Sequence, residues 1–116
     1  MPPESRDESY LRDMHAYALE VATFVRDASL DDFHPGSILR RAVERSIEVI
    51  GEAANRVSGS VREAHPEIPW GKIIGTRNVL AHGYAVIDGR VLWEIATGDI
   101  EELIVALDAI LGPQEA

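Results

Sequence analysis

Residues 77–84 read RNVLAHGY, and four chemically capable side chains fall within these eight positions: Arg77, Asn78, His82 and Tyr84. The types suit cleavage of RNA without a metal. That reaction needs a deprotonated 2′-hydroxyl, a protonated leaving 5′-oxygen and a stabilised phosphorane charge. Histidine titrates near neutrality and can serve as base or acid. Arginine can fork onto two phosphate oxygens as charge builds. Asn78 can orient the phosphate or the histidine. Tyr84 offers a phenol for stacking, for hydrogen bonding or for modification.

Spacing constrains how these groups meet. On a helix Asn78 and His82 stand four apart and share a face. Arg77 and His82 are about 140° apart around the axis and do not line up directly. Arg77 and Tyr84 are nearly two turns apart, and Gly83 interrupts the helix before it reaches the tyrosine. Two copies of the helix meeting at a dimer axis would bring both residue types into one cleft. Taken on spacing alone, a plainer account prevails: Arg77 and His82 cap carbonyls at a helix C-terminus, where positive charge is favoured.

The elements that must hold this octet are helical. Ser5 and Glu8 have capping-box spacing. Tyr10, Met14, Tyr17, Val21 and Phe24 then recur at helical spacing, with Leu11, Ala18 and Val25 beside them, which predicts a helix ending near Ala28. DDFHPG breaks the pattern. A second long helix starts near Ser37, with the apolar stripe Leu39, Val43, Ile47, Ile50, Ala54 and Val57. Gly51 lies inside it at a cost of about 1 kcal/mol relative to alanine, which a close approach of two helices would offset.

Ser60 and Glu63 predict a second capping box and a short helix, closed by Pro66 and Pro69. Pro69 can be the first residue of the next helix, whose core face is Ile73, Ile74 and Leu80. Gly83 can take the left-handed cap conformation. Asp88 predicts an N-cap for residues 90–97. Asp99 and Glu102 predict the start of the last helix, which carries Ile100, Leu103, Leu107 and Ile110 and stops at Gly112 and Pro113. No stretch alternates at period two. The expected fold is all-α: an up-and-down bundle of four to five helices, uneven enough to leave an apolar flank and so to favour a dimer.

Composition sets outer limits. The 116 residues suit one domain, with an ordered core over about residues 6–111. Absence of cysteine excludes disulfides and thiolate chemistry. No apolar run is long enough for a membrane helix, and the acidic, polar start MPPESRDESY lacks the form of a signal peptide. A cytoplasmic protein is the expectation. The net charge of −9 argues against holding nucleic acid by the overall field, while Arg41, Arg45 and Lys72 remain candidates for a local basic rim or, individually, for a solvated face.

The other histidines are weaker candidates. His15 falls beside the apolar stripe of the first helix, on the surface or half-buried. His34 and His65 each precede a proline. None pairs with a carboxylate at metal-ligand spacing, so neither a metal nor another cofactor is expected. No glycine-rich phosphate loop and no Gly-x-Ser-x-Gly elbow is present.

Beyond the octet, IGEAANRVS (50–58), HPEIPWGKIIGTRN (65–78), VLWEI (91–95) and RDESYLRDM (6–14) form an ordered set of segments. With Arg-x4-His-x-Tyr at 77–84, the chain resembles the HepT-like family of the HEPN superfamily of α-helical ribonucleases, over roughly residues 6–111. The resemblance implies a toxin of a two-gene toxin–antitoxin system, acting as a metal-independent endoribonuclease and as a homodimer whose motif helices form the cleft. It implies that Arg77 and His82 are catalytic and that Asn78 assists. It implies that Tyr84 is the tyrosine to which a minimal nucleotidyltransferase antitoxin transfers AMP, an adduct that would block RNA by size and negative charge. In the matched Gly-Glu-Ala segment, Gly51 is expected to be a packing residue. Glu52 is expected to be a buried ion-pair or hydrogen-bond partner for a neighbouring helix. Trp70 is expected to anchor its helix start. The competing functions are a non-catalytic nucleotide-binding or regulatory partner of a nucleotidyltransferase, and a dimeric scaffold in which the motif only caps a helix.

Overall fold

The computed structural model describes the backbone of residues 3–82 and 87–112, with side chains described from residue 6 onward. It is all-helical, with no strand among the described residues. Helix α1 spans Pro3–Val25, α2 Ile38–Arg56, α3 Gly59–Ala64 and α4 Trp70–His82. Helix α5 spans Gly89–Glu94 and α6 Ile100–Leu111; a 3-10 turn at Leu30–Asp32 precedes α2. The segment Ile95–Asp99 is a π turn that joins α5 to α6 without a break, so the described residues form five helical rods, as the apolar periodicities predict.

Helices α1 and α2 form the frame. They run antiparallel, because Asp7 at the start of α1 accepts from the Ser58 backbone N (2.9 Å) and Oγ (2.8 Å) just past the end of α2. Met14, Ala18 and Val21 of α1 meet Val43, Ile47, Ile50 and Ala54 of α2 in the buried core. Leu92, Ala96, Ile100, Leu103 and Leu107 fill it from the C-terminal rod, which packs on α1. Phe33 is buried after the 3-10 turn and meets the Trp93 ring edge-on at 5.5 Å.

Several boundaries depart from the sequence expectation. Helix α1 already includes Ser5, which the capping box placed before it, and it ends at Val25 rather than Ala28. Its buried stripe is Leu11, Met14, Ala18, Val21 and Val25, while Phe24 is 36% exposed. The i, i+3, i+7 set turned toward α2 is therefore rotated slightly from the one centred on the aromatics. Ser58, not Ser60, caps α3: its Oγ accepts from Val61 N. Asp7 decides this by fixing Ser58 in place. Pro69 precedes α4, and its carbonyl accepts the first helical bond from Ile73 N (3.0 Å). Asp99 caps nothing, since its backbone is helical and its carboxylate takes Lys72 instead. Ser37 and Asp88 do cap their helices as expected, through Arg40 N and Arg90 N. Gly112 ends α6 with φ +72°, in the region that glycine tolerates best.

Candidate active site at the end of the fourth helix

Helix α4 begins on Trp70, which is buried and donates its indole N–H to the His65 carbonyl (3.0 Å). No other α4 residue is fully buried. The helix lies as a surface rod that packs chiefly on α2. What draws the two together is Gly51. A Cβ built there would stand 2.1 Å from Arg77 Cβ, 2.8 Å from Arg77 Cγ and 3.1 Å from the Ile73 carbonyl oxygen. The missing side chain is the space that the root of Arg77 occupies, so the close approach anticipated at Gly51 is present, and Arg77 is what makes it.

The guanidinium of Arg77 meets two neighbours. Its Nη1 donates to Asn78 Oδ1 (3.0 Å). Its Nη2 lies 4.0 Å from Glu52 Oε1, with the two side chains 31% and 37% exposed. Its Nε is buried and has no hydrogen-bond partner among the described residues. Glu52 thus faces a neighbouring helix, as expected, but it is half-exposed rather than buried, because Gly51 points into the α2–α4 contact and Glu52 stands one residue round the helix, toward the rim. An ion pair this open and this long is worth about 0–1 kcal/mol. A phosphate could therefore compete for the guanidinium at little expense.

His82 turns back along the helix, where its Nδ1 meets the Asn78 carbonyl oxygen at 2.6 Å. A carbonyl only accepts, so Nδ1 carries the hydrogen, and in the neutral ring Nε2 holds the lone pair. Asn78 therefore links the two ends of the motif. Its side-chain oxygen takes Arg77 and its main-chain oxygen takes His82. This joins residues that helical angles alone leave on different faces. Tyr84 and Gly83 lie outside the described residues.

The basic candidates are placed unequally. Arg41 and Arg45 are exposed on α2, and with Glu48 and Glu52 their spacing forms one stripe that leads to Arg77. Arg45 donates to Glu48 (3.4 Å). Lys72 sits on the other flank of α4 and donates to Asp99 (2.5 Å).

The fold uses two side chains whose roles sequence reasoning did not find. Arg40, only 4% exposed, donates from Nη2 to the Ile87 carbonyl (2.6 Å) and from Nε to Glu44 (3.2 Å). It ties the segment that follows the motif to α2. The i, i+4 pairing of Arg40 with Glu44 beside the Val43–Ile47 stripe was the available signal. His15, expected on the surface or half-buried, is buried, and its Nε2 meets Asp108 Oδ1 at 2.7 Å, joining α1 to α6.

Comparison with known proteins identifies the family. The family model described as "Ribonuclease HepT-like" matches residues 14–110. A ribonuclease HepT of Thermococcus cleftensis, so named by inference, is 37% identical over 97 residues, covering 83% of this chain and 87% of its own. A Methanocaldococcus jannaschii protein named as an inferred RNase is 34% identical over 96 residues, covering 83% and 88%. Another inferred RNase, from Caldanaerobacter subterraneus subsp. tengcongensis, is 38% identical over 87 residues, covering 75% and 78%. No solved structure matches the chain. The matched span takes in the Gly51 seat, Arg77, Asn78 and His82, and this chain belongs to the HepT-like ribonuclease family.

Proposed function

We propose that the protein is a metal-independent endoribonuclease that cleaves single-stranded RNA and acts as the toxin of a type II or type VII-like toxin–antitoxin pair. The observation that carries this is the Asn78-centred arrangement at the end of α4. His82, with Nδ1–H committed to a carbonyl, takes the 2′-hydroxyl proton or returns one to the leaving 5′-oxygen through Nε2. Arg77 meets the charge on the phosphorane with N–H groups already aimed by Asn78 and Glu52. Attack by the 2′-oxygen leaves a 2′,3′-cyclic phosphate. Family membership and the names of the relatives support RNA as the substrate.

The finer features rest on the family resemblance. A minimal nucleotidyltransferase antitoxin transfers AMP to Tyr84, two residues from His82, and the added phosphate repels the RNA backbone. A homodimer completes the cleft with a second α4. In support, Val79 and Ala81 are exposed beside His82 on a helix that packs chiefly on α2 alone. The setting is the cytoplasm; no helix among the described residues is long and apolar enough to cross a membrane.

The test is cleavage of single-stranded RNA by purified protein in EDTA. Cyclic-phosphate ends should form, and His82→Ala should abolish them while the helical circular dichroism is kept. Full activity in that variant would remove His82 from catalysis. Sedimentation at micromolar concentration should give a dimer, and a monomer would count against the shared cleft. The net charge of −9 favours one rival, a nucleotide-binding regulator of a nucleotidyltransferase. Tight nucleotide binding with no RNA cleavage by the wild-type protein would establish that rival.

A further inference from the structure

Beside Arg77, on the outer side of α2, a cleft opens between α1 and α2. Its walls are Tyr10, Asp13, Val49, Glu52, Ala53 and Arg56, and its volume is about 180 Å³, enough for a planar base. The cleft continues past Tyr10 and Arg56 into a second recess that reaches Arg6 and Ser58. Tyr10 is half-buried and Asp13 and Arg56 are exposed. None of the three makes a hydrogen bond or ion pair among the described residues. Glu52 forms the wall nearest the motif and reaches Arg77 Nη2 at 4.0 Å.

The chemistry of these walls is specific. A flat aromatic ring invites a nucleobase, since every base offers a π-face. Two carboxylates, Asp13 and Glu52, can accept hydrogen bonds but cannot donate them when ionised. They repel phosphate and favour a base edge rich in N–H donors. Guanine presents two adjacent donors, N1–H and the N2 amino group, whereas uracil presents one N–H and adenine and cytosine a single amino group. Arg56, with Arg6 beyond it, supplies positive charge where the backbone would leave the cleft. We propose that this α1–α2 cleft is a guanine subsite: Tyr10 stacks on the base, Asp13 and Glu52 accept from its Watson–Crick edge, and the attached phosphate lies toward Arg77. The inference rests on the proposed RNA cleavage for its role, and it makes the enzyme prefer guanosine next to the bond it cuts. The shared chemistry is the guanine base, whether in an RNA chain or in a free nucleotide.

Two arms separate the subsite from the nuclease function. In the first, ¹⁵N-labelled protein is titrated with GMP, AMP, CMP and UMP. GMP should shift the amides of Tyr10, Asp13, Ala53 and Arg56 and bind about tenfold tighter than the others, the worth of one good charge-assisted hydrogen bond. Asp13→Asn should erase that preference, and Tyr10→Ala should weaken all four nucleotides about fivefold or more. Equal affinities, shifts confined to other helices, or an Asp13→Asn variant that still prefers GMP would overturn the subsite. In the second arm, cleavage sites are mapped on single-stranded RNA. Wild-type protein should cut next to guanosine, and Asp13→Asn should cut without that bias. A wild type that binds GMP in the cleft but cuts no RNA refutes the nuclease function and leaves the subsite standing. Cleavage with no guanosine bias in a protein that ignores GMP refutes the subsite alone.

Discussion

Gly51 and Arg77 share one space: a Cβ on the glycine would lie 2.1 Å from the Cβ of the arginine. A Cβ is fixed directly to its backbone, so neither position can swing away without moving a helix. The proposed catalytic arginine is therefore positioned by where two helices touch, and the depth of that contact is set by a residue with no side chain.

Gly51→Ala tests this directly. Overpacking at such a site costs about 1–3 kcal/mol, while alanine recovers about 1 kcal/mol of helix propensity. The clash wins, because the separation is far inside contact distance and the Ile73 carbonyl at 3.1 Å blocks the other direction. The expected outcome is a net loss of up to about 2 kcal/mol in chemical denaturation. RNA cleavage measured well below the melting temperature should fall further than that loss explains, because α4 is lifted from α2. A variant as stable and as active as the parent would show that the contact is not tight in solution.

Asn78 separates two roles within one residue. Asn78→Ala removes the oxygen that takes Arg77 Nη1 but keeps the carbonyl that takes His82. The expected result is a rate reduced about tenfold, the worth of one aimed hydrogen bond to a charged group, against near-complete loss in His82→Ala. A double-mutant cycle with Arg77→Ala should return a coupling of about 1–2 kcal/mol. Additive effects would mean that Asn78 does not act through Arg77.

How much of this was legible in the sequence depends on the range of the interaction concerned. Ser37 and Asp88 cap helices through groups two or three residues away, and the Val43–Ile47–Ile50–Ala54 stripe is local too, so all of these were readable. Ser60 misled because the true cap, Ser58, is held by Asp7 from 51 positions away. Asp99 misled because Lys72, 27 positions back, takes its carboxylate while a π turn carries the helix through. The full burial of His15, expected on the surface or half-buried, is not legible locally because its partner, Asp108, is 93 positions distant. Within the candidate site, the placement of Arg77, Asn78 and His82 at the end of a short helix was readable. Their linkage through the two oxygens of Asn78 was not, since it depends on rotamers that α2 imposes on Arg77.

Two carboxylate contacts should differ in weight. Lys72 and Asp99 are 59% and 41% exposed, so Lys72→Ala should change stability by less than about 1 kcal/mol. Asp7 is buried and accepts both Ser58 donors. Asp7→Ala should cost about 2–3 kcal/mol, because it strands a backbone N–H and loosens the start of α3. Urea titrations of the two variants side by side would check the order, and a reversed order would mean that exposure does not govern these pairs.

Arg40 extends the same logic to the segment beyond the motif. Its guanidinium is buried, and it spends one N–H on the Ile87 carbonyl and another on Glu44. Arg40→Met keeps most of the apolar stem but leaves a carbonyl and a carboxylate without their donor. Since the lost bonds are charge-assisted, the expected loss is about 2–4 kcal/mol, which at this chain length lowers the melting temperature by roughly 4 °C or more for each kcal/mol. Arg40→Lys should recover only part of it, because one ammonium nitrogen cannot stand in both places from which Nε and Nη2 serve Glu44 and Ile87. Calorimetry on the three proteins gives the ranking. If lysine restored the full melting temperature, the anchor at Ile87 would be a matter of charge alone and the fork geometry would be irrelevant.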